Sequence, residues 1–422
     1  MKLLVISMNH SPELTGIGKY TGEMADGLVA RGHEVRVVCA PPHYPQWRLG
    51  EGYGVGRYGV EDPQPGLRVW RCPLWVPTRP SAARRLLHQA SFALSSLPVV
   101  LGLGLFWRPA VVLVVAPATC CAPSAWLAAA LAGGRAWLHV QDLELDAAFK
   151  LGFLRGPRLQ KFFLGLERRL FGSFDRVSTI SRRMLEHLVA KGVELPRTSL
   201  LPNWVDLQAV DPQVHCVGAA LLRQRLGLGP AQKVLLYAGT MNRKQGLDVL
   251  VQAAQRLAHR SDIIFLLCGQ GEMRASLEAA AQGLAQVRFC DLRPAHELGA
   301  LLTLADVHLL PQLRHAADLV MPSKLGGMLA SGRPVIAAAD EGSEIAMWVR
   351  DCGLRVEPES ADAFVQAITA LCDDDTLRQD LGTAARELAV RTLGGKAVLD
   401  HLDLELRAAT AAPAWSRAPR WR

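Results

Sequence analysis

VLLYAGTMNRKQGLDVLVQAA, Val234 to Ala254, is the stretch that decides the fold. Val234 to Ala238 is an unbroken apolar run of strand length, the pattern of a parallel strand buried on both faces. Gly239 ends it, a polar loop bearing Arg243 and Lys244 follows, and Leu247 opens a run with helical spacing to Ala258. Downstream the alternation continues through strand Ile263–Cys268, helix Arg274–Ala285, strand Val287–Cys290, helix Ala295–Leu304, strand Val307–Leu310, helix Lys324–Ser331 and strand Val335–Ala338. Upstream the same alternation has already run once. It starts with strand Leu3–Ser7, a helix from Lys19 to Arg31 and strand Val35–Cys39, and goes on through Val69–Arg71, Val111–Ala116, Ala136–Val140, Val177–Ile180 and Thr198–Leu201. Strands alternating with helices predict an α/β fold of two doubly wound parallel sheets facing a cleft. An irregular stretch, 207–230, punctuated by Pro212, Gly227, Gly229 and Pro230, separates the two runs. The expected domains are 1–205 and 206–410, with 411–422 a disordered tail.

The bulk properties agree with two domains. A chain of 422 residues exceeds one ordinary core, and half of it is apolar with a fifth charged, far from disordered or disulfide-scaffold profiles. The nine cysteines form no C-x-x-C pair, which disfavours a zinc knuckle and a disulfide framework. The N-terminal apolar run is too short for a signal peptide, so a cytoplasmic, reduced protein is expected. The net charge of +8 is lopsided: residues 1–200 hold 24 Lys and Arg against 14 Asp and Glu, and 201–422 hold 23 against 25. The first half therefore suits an anionic partner, which could be nucleic acid, anionic lipid or a phosphate-bearing substrate; a merely solvated basic surface is the bland alternative. Leu86 to Trp107 carries no charge and is long enough to span a bilayer, but His88, Gln89, three serines and Pro98 interrupt it. Ala82 to Leu97 reads instead as an amphipathic helix suited to a membrane surface, with Arg84 and Arg85 at its start. In Pro109–Gly134, Val111–Ala116 reads as a strand and Ser124–Ala132 as its helix.

Four loops carry the chemistry. Glu13 to Met24, ELTGIGKYTGEM, puts Gly16 and Gly18 just before a helix, where free N–H groups and the dipole favour phosphate. Dinucleotide binding is disfavoured, because Gly16 lies well beyond the strand and Cys39-Ala40 closes the second strand where an acidic ribose reader should stand. Arg243 and Lys244 suit a diphosphate. CGQGEM, with Gly269, could border a nucleotide base, and DLVMPSKLGGMLASGRPVI offers Ser323 and Lys324 at another helix start.

Together these motifs carry a resemblance. GIGKYTGEMADGLVARGHEVRVV, HVQDLELDA, PNWVD, YAGTMNRKQGLDVLV, FLLCGQGE, PSKLGGMLASGRPVI and GSEIA occur in the order seen in retaining GT-B glycosyltransferases of family 4. SPELTGIGKYTGEM, APPHYPQW, VWRCPLWVP and SFALSS resemble the colanic-acid-type exopolysaccharide enzymes over roughly residues 1–400. The resemblance implies two Rossmann-like domains, with C-terminal helices packing back on the first. It also implies a UDP- or GDP-sugar donor held by the second domain, an acceptor on the first, retention of configuration, and no metal or other cofactor. Lys244 matches the lysine that neutralises the donor diphosphate, Thr240 stands where an arginine often follows the glycine, and Arg243 could compensate. His139 matches the histidine near the transferred sugar, with Asp142 in the same loop; a buried, bonded histidine is the competing reading. Of the paired glutamates, the second aligns with Gly327, so the ribose contact must come from elsewhere, and the first falls beside Asp318. Glu344 in GSEIA matches a family glutamate, or is a helix-start charge favoured by the dipole. The activity implied is hexosyl transfer to a lipid-linked (polyprenyl-diphosphate) exopolysaccharide unit, at the inner face of the plasma membrane and without nucleic acid. The competing classes are a nucleotide-sugar epimerase and a non-catalytic scaffold on the same fold.

Overall fold

The structure is a computed structural model. It describes all residues except 14–15, 45, 79–81, 118, 143–156, 292, 315–323 and 412–422, and leaves out the side chains of 82, 83, 157–160, 162, 244 and 295. The chain divides into two compact units, Met1–Pro202 with Val398–Arg422, and Asn203–Ala397.

The first unit is built on eight strands: β1 Lys2–Ile6, β2 Glu34–Cys39, β3 Gly59–Gln64, β4 Leu67–Arg71, β5 Val111–Ala116, β6 Arg135–Val140, β7 Arg176–Thr179 and β8 Thr198–Leu200. Their order is β3-β4-β2-β1-β5-β6-β7-β8. Every pair is parallel except β3 with β4. All six residues of β5 are buried, as the uncharged run demands of a central parallel strand; each such valine contributes ~1.5–3 kcal/mol. β3 escapes the sequence reading because GVEDPQ is polar, exposed and contains a proline, which only an edge strand tolerates. The helices are α1 Gly16–Ala30, α2 Ala82–Gly102, α3 Ala122–Ala132, α4 Pro157–Ser173 and α5 Arg182–Ala190. The predicted strand and helix of Pro109–Gly134 are thus β5 and α3.

α2 runs on into a π turn, Leu103–Trp107. Arg84–Trp107 is long and apolar enough to cross a membrane by length and composition, with about a third of it buried. Phe92, Ser96, Val100, Leu103 and Trp107 are buried, whereas Leu86, Leu87, Leu94, Leu97, Leu105 and Phe106 are exposed. The helix therefore packs one apolar stripe inward and keeps a second one outward.

The second unit has six parallel strands: β9 Lys233–Ala238, β10 Ile263–Cys268, β11 Val287–Cys290, β12 Val307–Leu310, β13 Val335–Ala338 and β14 Gly353–Val356. The order β11-β10-β9-β12-β13-β14 is the Rossmann arrangement, reversing direction between β9 and β12. Alternate residues of one strand feed cores on opposite faces: Val234 and Leu236 join one, Leu235 and Tyr237 the other. Its helices are α6 Pro212–Arg225, α7 Asp248–Arg256, α8 Arg274–Ala280, α9 Ala295–Leu304, α10 Lys324–Ala330, α11 Glu344–Val349, α12 Ala361–Asp373 and α13 Asp375–Thr392. α6 corrects the irregular reading of 207–230. Asp211 caps it by accepting from the Gln213 N–H, and Pro212 occupies the first helical position, where its missing N–H costs nothing.

The last helix, α14 Gly395–Ala411, starts at the end of the second unit and belongs to the first from Val398 on. Arg31 bonds Asp400 at 2.6 Å, His33 Nε2 lies 2.6 Å from Asp403, and Arg135 donates to the Ala409 carbonyl at 3.0 Å. This is the packing back that the resemblance implies. It differs from a second domain running unbroken from 206 to 410. The rest of the tail lies outside the described residues.

Candidate active site

In parallel α/β sheets, ligands bind beyond the carboxyl ends of the strands where the strand order reverses. In the second unit that point lies beyond β9 and β12. There the chain from β9 and the chain from β10 run backbone against backbone. Gly239 and Met241 donate to the Cys268 and Gln270 carbonyls at 2.9 and 2.8 Å. A Cβ on Gly269 would sit 1.9 Å from the Gly239 oxygen, and one on Gly271 2.3 Å from the Met241 oxygen. Neither position can hold a side chain, so the predicted Gly269 loop is a bare backbone surface.

Lys324, the first residue of α10, reaches into this place. Its Nζ donates to Tyr237 Oη at 3.2 Å and to Gln245 Oε1 at 2.5 Å, and lies 4.3 Å from the Tyr237 ring centre. No carboxylate among the described residues pairs with it. Burial pushes the ammonium down to about 7, because a desolvated cation without a countercharge gives up its proton more readily. The Tyr237 hydroxyl is fixed by donating to the Thr240 carbonyl at 2.7 Å, and burial raises its pKa. Tyr237 and Gln245 escaped the sequence reading, the first as a core strand residue and the second as an unremarkable loop amide.

Arg243 is exposed, and its N–H donates to Glu272 at 3.2 Å. Lys244 follows in a single turn of 3-10 helix, Arg243–Gln245. Gly246, left-handed at φ 60°, ends that turn. Asp318 and Ser323 lie outside the described residues. Glu344 begins α11 behind the Ser343 cap and accepts from Trp348 Nε1 at 3.0 Å. At Gly327, where the resemblance places a glutamate, a Cβ would come within 3.2 Å of Leu302 Cδ1. That leucine methyl would have to give by a few tenths of an ångström to admit a larger residue.

In the first unit, His139 is the penultimate residue of β6 and is buried. Gln141 Nε2 lies 3.3 Å from its Nε2, and Ser178 Oγ 2.9 Å from its Nδ1. The amide donates, so Nε2 carries the lone pair and Nδ1 the hydrogen; Ser178 accepts from it and from Trp137 Nε1 at 2.8 Å. Burial holds the ring down at about 4, neutral at physiological pH. Asp142 is half-buried three residues on, at the edge of a segment outside the described residues. Gly16 opens α1 rather than preceding it, left-handed at φ 61°. Gly18 lies within the first turn and makes room for a buried Glu13, whose carboxylate a Cβ would meet at 2.7 Å.

Two family models divide the chain: a glycosyl transferase 4-like domain over residues 15–204 and glycosyl transferases group 1 over 232–374. The chain is 41% identical to a protein of Escherichia coli K12 named, provisionally, as the colanic acid biosynthesis glycosyl transferase WcaI, over 96% of this chain and all of that one. The chain is a glycosyltransferase of family 4. This glycosyltransferase is of the colanic acid biosynthesis type. Its fold is GT-B, shared with the sucrose-phosphate synthase of Thermosynechococcus elongatus (TM-score 0.74, 18% identity, 98% of this chain and 100% of that one). Anabaena Alr3699/HepE in complex with UDP-glucose superposes with a TM-score of 0.66 at 16% identity, over 97% of the glycosyltransferase and 100% of that chain.

Proposed function

We propose that this glycosyltransferase moves a hexose from a UDP- or GDP-sugar, with retention of configuration, to a lipid-linked saccharide carried on a polyprenyl diphosphate. The observation that carries the reading is Lys324, a buried cation without an acidic partner among the described residues, placed beyond the carboxyl ends of β9 and β12. A diphosphate supplies the missing countercharge. The Anabaena protein in complex with UDP-glucose has this fold, and the E. coli relative is named as a glycosyl transferase of colanic acid biosynthesis, which favours a sugar nucleotide over other diphosphates.

In this reading Arg243, Lys244, Ser323 and Lys324 hold the diphosphate, the Gly269 backbone borders the base, and Glu344 with Asp318 meets the donor sugar. Negative charge grows on the diphosphate as the glycosidic bond to it breaks, so fixed cations stabilise the transition state more than the bound donor. His139 and Asp142 serve the reacting centre, and His139 does so as a neutral ring. Gly16 and Gly18, at the mouth of β1 and α1, contribute to holding the donor. No metal or other cofactor takes part. The acceptor's lipid brings the first unit to the anionic inner face of the plasma membrane, where the outward leucines of α2 and Arg84, Arg85 and Arg108 at its ends suit the interface.

Lys244→Ala tests the diphosphate assignment. The variant is expected to keep the wild-type melting temperature and to lose transfer by roughly 100-fold or more. Wild-type turnover in the folded variant would overturn it.

A further inference from the structure

His43, from the APPHYPQW motif, and His88, from α2, are both buried, and their Nε2 atoms lie 3.2 Å apart. Each ring's other nitrogen meets a backbone carbonyl: His43 Nδ1 lies 2.9 Å from Pro41 O, and His88 Nδ1 lies 2.6 Å from Trp75 O. A carbonyl only accepts, so both Nδ1 atoms carry hydrogen. In two neutral rings the Nε2 lone pairs would then face each other across a contact with no hydrogen in it. One additional proton turns that contact into an N–H···N bond.

The countercharge for such a proton is present. Glu13 is buried, with Oε1 3.6 Å from His43 Nδ1. Oε1 also accepts from the His43 and Tyr44 N–H groups at 2.9 Å each, and Oε2 accepts from Asn9 at 2.8 Å. Three donors converge on this buried carboxylate, and a negative charge there is favoured by a cation beside it. The described residues contain no group of three or more His, Cys, Asp and Glu able to hold a metal. The other charged and titratable groups around the pair are Tyr44 on the same loop, Arg85 of α2, 5.4 Å over the Trp47 ring, and Cys120, 4.0 Å from Gln89 beside His88.

We propose that His43 and His88 share a single proton, and that this buried charge, balanced by Glu13, clasps the loop carrying Tyr44 and Trp47 onto α2. The two histidines are positioning residues. Trp47 packs 5.4 Å from His88 and 6.5 Å from Tyr44, and Tyr44, 43% exposed, lies 3.9 Å from where a Cβ on Gly16 would stand. The clasp thus presents an aromatic surface at the mouth of β1 and α1. Aromatic faces receive the C–H faces of sugar rings, so the ligand class is the acceptor saccharide; that clause rests on the proposed function, whereas the clasp itself does not. Burial, and more weakly the charge of His43, holds the His88 ring below the usual imidazole range, so the pair takes up one proton and not two. As pH rises the proton leaves, Glu13 loses its countercharge, the two lone pairs repel, and the loop comes away from α2.

Hydrogen–deuterium exchange of the full chain, followed over 41–50 from pH 4 to 9 and corrected for intrinsic rates, tests this without donor or acceptor. Protection of the loop is expected to fall at least tenfold as pH rises. In His88→Gln, whose amide donates to His43 Nε2 with nothing to titrate, protection should hold across the range. A flat wild-type profile, an equal alkaline loss in His88→Gln, or stoichiometric zinc in the purified protein would each overturn the shared proton. With the exchange result in hand, an acceptor KM that rises at alkaline pH in the wild type but not in His88→Gln supports the saccharide role, and a KM insensitive to both overturns that role alone.

Discussion

Lys324 is the residue on which donor binding should register most directly. With its pKa pushed down to about 7 in the free protein, part of the population is neutral at physiological pH. An arriving diphosphate favours the charged form and so takes up a proton. The sign follows from linkage: the bound state holds more protons than the free state above about pH 7, so affinity falls as pH rises, approaching tenfold per pH unit. Calorimetry with UDP or GDP in buffers of different ionisation enthalpy should show this uptake. Lys324→Met should abolish it and weaken binding by ~10- to 100-fold, the size of a charge-assisted hydrogen bond. Proton uptake unchanged in that variant would assign it to another group. At this scale the sequence was legible where chemistry follows the backbone. Gly269 and Lys324 stand at strand and helix ends that periodicity alone locates. Tyr237, Gln245, Gln141 and Ser178 were not legible, because their importance lies in which polar atom meets which across elements distant in sequence.

At the scale of elements, α2 holds the clearest conflict between local composition and burial. Its inward stripe does what a core helix must, yet Leu94 is 72% exposed and Phe106 84%. Scattered exposed leucines need no explanation, whereas a contiguous apolar face marks an interaction surface. Leu94→Glu with Leu97→Glu should reduce partitioning onto anionic vesicles at least tenfold, while shifting stability by no more than ~0.5 kcal/mol each, as solvent-facing substitutions do. Cosedimentation at two salt concentrations measures this, and unchanged partitioning would remove α2 from the membrane contact. The uncharged run announced α2 in the sequence. β3 and α6 were hidden there by proline, which reads as a breaker although it suits an edge strand and a first helical turn.

For the whole molecule, the restart of the strand and helix pattern near Val234 was sufficient to read two α/β units. The strand orders are those of parallel strands joined through helices, with β3 added antiparallel at one edge. The return of the last helix to the first unit could not be read from periodicity. It depends on Asp400 and Asp403 finding Arg31 and His33 some 370 residues away in sequence, and no local pattern encodes that. The account as a whole makes the second unit the seat of a nucleoside diphosphate. Thermal unfolding of the purified chain with UDP, GDP and NAD in turn tests this most directly, since a ligand at 100 times its Kd stabilises the folded state by ~2.7 kcal/mol. The account predicts a higher melting temperature with UDP or GDP and none with NAD. A chain indifferent to both nucleoside diphosphates, or stabilised by NAD alone, would contradict it.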